Sequence, residues 1–164
     1  MLKKEISVPS VDKSFIKRNE IQDYIGFEAE PTEWHKVTQE QINQFADCTL
    51  DHQFIHVDPE AAKKTPFGTT IAHGFLSLSM LSHFAESFTT VIDGFYMGIN
   101  SGFDKVRFIN PVAVNSKIRA LAKVLEIEET KPGQFRTKTQ VTLEIEGVEK
   151  PALVAEWIGI QMVK

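Results

Sequence analysis

A single cysteine, Cys48, stands in a chain of 164 residues, so no intrachain disulfide can form and a reducing compartment is the natural setting. No cationic excess marks a nucleic-acid face. The 18 Lys and Arg against 22 Asp and Glu leave a net charge of −4, and the pI is near 5.7. A basic footprint is therefore missing, and a nucleic-acid partner is not expected. No apolar run is long enough for a bilayer. The longest stretch free of Asp, Glu, Lys and Arg, Thr65 to Ala85, is interrupted by Pro66, Gly68, Gly74 and several hydroxyl side chains. A membrane span needs about 20 mostly apolar residues. The opening residues carry early charges and no apolar leader core, so the expected location is the cytoplasm. No glycine-rich phosphate motif, internal repeat or low-complexity tract is found.

What remains is ordinary for one globular domain: 42% hydrophobic and 24% charged residues, with twelve Phe to fill a core. Residues 1–19 are polar and poorly patterned and read as an N-terminal arm, leaving 20–164 as the domain. Ile21, Tyr24 and Ile25 follow helical spacing until Gly26. Thr38 with Gln41 matches a capping box, and Ile42, Phe45 and Ala46 form the stripe of a helix from Gln39 to about Cys48. Thr49 to Val57 is a polar segment. Asp58 and Pro59 then give the cap and first residue of a short helix to about Lys64. Ile71 to Phe88 reads as the main helix, apolar on all sides and so expected to be buried on all sides. After Asp93-Gly94 the period changes to two. Ile118, Ala120, Ala122 and Val124 recur at alternate positions. So do Phe135, Val141, Leu143 and Ile145, beyond a turn at Lys131-Pro132-Gly133, and Leu153 to Val163 makes a last strand. Long strands with one greasy face suit an α+β domain in which a curved antiparallel sheet wraps a buried helix.

Chemistry concentrates between Phe45 and Glu60, where Asp51, His52, Gln53, His56 and Asp58 fall within eight residues. Asp51 and His56 are five apart and can point into one pocket from a turning loop. A carboxylate and an imidazole together can accept and return a proton at neutral pH. On spacing alone, a polar loop whose Asp and His cap helix ends fits equally well. The second candidate is Ile71 to Phe75. First-turn N–H groups lack intrahelical partners there, and Gly74 would let a carbonyl oxygen approach the backbone. A helix start packed under a loop, with His73 a satisfied core residue, fits that segment as well. Asp51, His52, His56 and His73 could also ligate a metal, but no pair has the i, i+4 spacing of a helical metal motif, and none is expected. Cys48 could be a nucleophile beside His56 and Asp51; a buried small hydrophobe at a helix end is the other reading. Lys105 and Arg107 are either a solvated strand face or contacts for ligand phosphates.

DHQFIHVDPEAA (51–62), PFGTTIAHGFLSLSML (66–81) and INSGFDKVRFINPVAVNSKIRA (99–120) together resemble the MaoC-like hydratases, in particular the (R)-specific enoyl-CoA hydratases of the NodN-like branch. The resemblance runs from about residue 20 to the end. It implies a hot-dog fold, a homodimer, an acyl-CoA or acyl-carrier-protein thioester substrate, and no metal or other cofactor. The implied activity is a hydro-lyase that adds water reversibly to a trans-2-enoyl thioester. Asp51 and His56 match the catalytic positions, the Gly74 N–H the oxyanion position, and Ser82 a position lining the acyl pocket. Gln53, where many members carry Asn, and His73 complete the expected substrate-binding set. Leu50 stands where Gly is usual, which is expected to strain or reshape the loop, and Ser101 replaces a frequent Tyr. A thioesterase on the same fold, or a non-catalytic acyl-thioester-binding protein, are the alternatives; thiol release without loss of the enoyl chromophore would mark the first.

Overall fold

Period-two alternation dominates the second half of the chain, and there the strands form as the pattern dictates. The computed structural model describes residues 15–164. β4 (Phe95–Phe108), β5 (Lys117–Lys131), β6 (Gln134–Ile145) and β7 (Leu153–Val163) are antiparallel, in the order β5-β6-β7-β4, and β2 (His35–Lys36) extends the sheet beside β5. Ile118, Ala120, Ala122 and Val124 face inward until a bulge between Val124 and Glu126 shifts the phase, after which Ile127 is buried. One extra residue inverts every later side chain of a strand, and the alternation in β5 changes there for that reason. The β5–β6 turn needs Gly133. Its φ is +73°, and a Cβ there would meet the Val163 carbonyl oxygen at 2.5 Å.

α4 (Gly74–Ser79) and α5 (Leu81–Phe88) lie across the inner face of this sheet. Hydrogen bonds from Met80 N to Leu76 O (3.0 Å) and from Phe84 N to Met80 O (3.1 Å) carry one pair smoothly into the other. Leu76, Met80, Leu81, Phe84 and Phe88 meet Ala120, Ala122, Val141, Leu143, Leu153 and Ala155, and the small alanines let the helix sit close. Each large side chain so buried contributes about 1.5–3 kcal/mol. The helix differs from its sequence reading in two ways. It starts at Gly74, not Ile71, because Ile71 N and Ala72 N are bonded to Ile55 O and Val112 O, with Ile71 bridged to Ala113. Nor is it buried on all sides, since Phe75 is 69% exposed and His83 and Glu86 are exposed.

α1 (Gln39–Thr49) begins as expected, with the Thr38 hydroxyl accepting from Gln41 N at 3.2 Å. Only half of the capping box forms, because the Gln41 amide is engaged by His35 and the Met80 sulfur instead. The polar stretch after it contains one further helical turn, α2 (Phe54–Val57), and α3 (Pro59–Ala62) follows under an Asp58 cap that accepts from Glu60 N and Ala61 N. Of the expected arm, residues 1–14 lie outside the described residues. Phe15–Ile16 instead forms β1, paired in parallel with β3 (Val91–Ile92). Ile16 is fully buried in a second small core with Ile92, Val124, Ile127, Phe135 and Val163. Arg18–Tyr24 is a 3-10 helix. Among the described residues no helix is long and apolar enough to cross a membrane.

Candidate active site

Three short segments build the site: the end of α1, the single turn of α2, and the extended residues before α4. α1 stops at Leu50, whose φ of +62° and ψ of +20° are left-handed, and its side chain is 83% exposed. The chain thus makes with leucine the reversal that glycine makes without steric cost. Asp51 follows; its carboxylate accepts from Gln53 N at 3.4 Å, a local turn that leads into α2. His56 lies on α2 and is only 7% exposed.

The protonation pattern of His56 is fixed by one backbone group. Its Nδ1 lies 2.7 Å from Ile71 O. A carbonyl only accepts, so Nδ1 carries the proton and Nε2 is left with the basic lone pair. Burial lowers the His56 pKa from its ordinary 6.5; the Ile71 bond and the Asp51 charge pull upward, and His73 pulls downward. His56 is therefore neutral at pH 7. The His73 ring stacks on it, with centroids 3.7 Å apart and planes at 24°. Phe45 covers part of that same ring at 5.0 Å. His73 is 3% exposed, its Nε2 donates to Asp51 O at 3.0 Å, and its buried Nδ1 has no partner among the described residues.

One donor atom from each of Asp51, His56 and His73 falls within 4.8 Å of the others. Those residue types, so close, could hold a metal ion. Without one, His56 Nδ1 and His73 Nε2 are committed to carbonyls, which leaves His56 Nε2 and the Asp51 carboxylate free to exchange protons with a third molecule. Next to them the chain turns into α4. The N–H groups of Gly74, Phe75 and Leu76 have no intrahelical acceptor, the first helical bond being Ser77 N to His73 O. A Cβ on Gly74 would stand 3.3 Å from the Phe108 ring, so glycine is what lets β4 lie against this helix start.

The sequence-derived set is thus partly gathered. Asp51, His56 and His73 meet, and Gly74 adjoins His73 in the chain. The Gln53 side chain is exposed at the start of α2. Ser82 is elsewhere: it lines a cavity of about 260 Å³ between α5 and the sheet, with Phe88, Asn100, Thr137, Thr139 and Trp157, and that cavity does not include the Asp51–His56 pair. His52 binds Asp47 at 2.8 Å on the surface. Cys48 is exposed, not the buried residue expected, because it points away from the stripe that α1 buries through Ile42 and Ala46. Lys105 pairs with Glu156 at 2.8 Å on an exposed strand face. The carbonyls that set the two imidazoles carry no signature in sequence. Gln39 and Thr70, whose side chains bond to the His56 carbonyl and to each other, carry almost no mark in the sequence. Gln39 has the one visible clue, a long amide at the first position of a helix.

The MaoC-like domain profile matches residues 20–146. The chain is 47% identical to 3-hydroxyacyl-thioester dehydratase Z of Mycobacterium tuberculosis over 127 residues, covering 77% of this chain and 83% of that one. It is 43% identical to nodulation protein N of Rhizobium meliloti over 146 residues, covering 88% and 91%. Among solved structures, a monoamine oxidase regulatory protein of Archaeoglobus superposes with a TM-score of 0.71 at 27% identity, covering 85% of this chain and 91% of that chain. An R-hydratase of Pseudomonas aeruginosa superposes at 0.65 and 23%, covering 85% and 83%, a likeness of fold.

Proposed function

The chain belongs to the MaoC-like dehydratase family, and from that premise we propose that it hydrates trans-2-enoyl thioesters reversibly to (3R)-3-hydroxyacyl thioesters. The observation that carries the reading is the meeting of a buried neutral imidazole and a carboxylate beside a helix start. The relative named as a 3-hydroxyacyl-thioester dehydratase supports the substrate class. The R configuration rests on the family resemblance.

In this reading the thioester carbonyl oxygen accepts from Gly74 N–H at the positive end of α4, which draws electron density from the conjugated double bond. A water held by Asp51 and His56 loses a proton to His56 Nε2 as its oxygen bonds to C3. The negative charge passes to the thioester oxygen. The pair then returns one proton to C2, and the site regains its starting state. Asp51 stabilises the imidazolium while it exists. The cavity beside Ser82 is the apolar compartment assigned to the acyl chain. His73 holds the 51–56 loop through its bond to Asp51 O, and the exposed Gln53 side chain at the start of α2 is assigned to substrate binding.

The functional unit is a homodimer in this proposal. β4 is an edge strand of 14 residues with Phe95, Tyr96, Met97, Ile99 and Phe108 exposed, a long apolar edge of the kind that pairs with a second copy. The deciding experiment follows the ultraviolet absorbance of enoyl-CoAs of graded length and the chirality of the product. Loss of the enoyl band with (3R)-hydroxyacyl-CoA formed is the expected result. Free thiol released with the band intact would replace hydratase by thioesterase.

A further inference from the structure

The first residue of α1 is a glutamine whose amide is fully used. Gln39 Nε2 donates to the main-chain oxygen of His56 at 2.7 Å and to Asn43 Oδ1 at 2.8 Å, and Gln39 Oε1 accepts from Thr70 Oγ1 at 2.5 Å. The amide orientation is fixed by the His56 carbonyl, which only accepts, so a flip would set one oxygen against another there. Thr70 is fully buried, and the next residue supplies the Ile71 oxygen that takes the His56 ring proton at 2.7 Å. Ile71 N in turn bonds to Ile55 O at 3.1 Å. One side chain therefore ties together the main chain of His56 and the segment that carries the acceptor for its ring.

We propose that Gln39, acting with Thr70, is a positioning residue that fixes the distance and angle of the His56 imidazole. The proposal rests on the reading of His56 as half of the acid–base pair. α2 is a single helical turn, with few bonds of its own to hold it. Its other ties to the 70–73 segment are the Ile55–Ile71 bond and the His56 ring itself. Without the Gln39 bridge the His56 carbonyl and a buried Thr70 hydroxyl both lose their partner, and α2 can shift against residue 71. A misplacement of about 1 Å in a reacting group costs up to roughly a hundredfold in rate. Phe54, also on α2, is half-exposed and offers no second anchor. The groups facing His56 are Asp51 and His73, and Gln39 bears no charge. Its effect on the imidazole is thus by placement and by exclusion of water.

The test uses the full chain with Gln39→Met, Gln39→Glu, Thr70→Val, Thr70→Ser and the Gln39→Met/Thr70→Val double variant. Crotonyl-CoA is the kinetic probe, and the ring signals of His56 are followed by 15N NMR without substrate. Gln39→Met is expected to lower kcat about ten- to a hundredfold, with KM changed less than about threefold. Gln39→Glu keeps an acceptor for Thr70 but has no N–H for the His56 carbonyl, and it should fall in the same range. Thr70→Ser should retain parent activity, and the double variant should be no worse than Gln39→Met because one bridge is removed in both. In the NMR arm the Nδ1–H signal of His56 should broaden in Gln39→Met, and its titration midpoint should rise toward the ordinary imidazole value. If Gln39→Met does not fold, Gln39→Glu and the Thr70 pair decide. A Gln39→Glu kcat within about twofold of parent overturns the proposal. So does a fall in kcat with His56 ring signals and midpoint unchanged. A parent that hydrates no enoyl thioester would sink the functional reading alone, because the ring signals are read without turnover.

Discussion

His56 holds one proton against the Ile71 carbonyl and presents one lone pair, and most of what the site can do follows from that asymmetry. In the proposed mechanism Asp51→Asn removes the charge that stabilises the imidazolium, and His56→Gln removes the basic lone pair. Each is expected to lower kcat by roughly 10²–10⁴, the range for loss of a positioned acid or base, with unchanged circular dichroism. The pH dependence has a definite sign. Burial holds the folded pKa of His56 below 6.5, so activity that needs the neutral ring should persist below pH 6.5 and fall only as pH passes the lowered value. Stability changes over the same window. Above 6.5 both folded and unfolded chains are neutral at this residue. As pH falls below it the unfolded chain takes up a proton that the folded one resists, and stability declines until the folded ring also protonates. His56→Gln should flatten that part of a stability-versus-pH curve measured by urea unfolding.

At the scale of elements, the site depends on how α1 ends. Leu50 adopts left-handed backbone at a cost of roughly 1–2 kcal/mol relative to a right-handed one, while a glycine there would lose about 0.5–1 kcal/mol more entropy on folding. Leu50→Gly is therefore expected to stabilise the fold by about 0.5–1 kcal/mol, seen as a higher urea midpoint with an unchanged slope. Its side chain is 83% exposed, so little packing is lost. This element was half legible. Thr38, the Ile42–Ala46 stripe and Asp58-Pro59 mark α1 and α3 in the sequence, because caps and apolar stripes are local devices. α2 was not legible. Its one turn has no stripe of its own and exists because Gln39 and Ile71, seventeen and fifteen residues away, bond to it.

At the scale of the whole molecule, the exposed apolar edge strand β4 is the feature on which the proposed dimer rests. Met97 is half-exposed on β4. A lysine there should resist edge-to-edge pairing, so Met97→Lys is expected to shift the mass measured by light scattering from the proposed dimer toward monomer. A parent chain that is monomeric at every concentration would remove this assembly. The exposure of Phe75 and Phe108 at the start of α4 belongs to the same surface question, since their rings pack on each other 5.9 Å apart and remain partly open.

Sequence alone marked the long strands and the cluster of polar side chains from which the proposed site is built. Alternation over β6, and over β5 up to its bulge after Val124, says which residues face inward, since a strand's side chains obey a period of two wherever they sit. Asp51 and His56 were legible as a pair because their spacing in a turning loop lets them converge. Only the tertiary structure decided the rest. Residues 71 and 72 bond as extended chain to Ile55 and Val112, and so the helix begins at Gly74. The proton of His56 is placed by a carbonyl fifteen residues on, and His73 is turned against it by Asp51 O and Phe45. Ser82 was drawn away to a cavity behind α5. The physical reason is the same in each case: main-chain carbonyls and N–H groups are alike at every residue, so their pairing over long separations leaves no mark in the order of side chains.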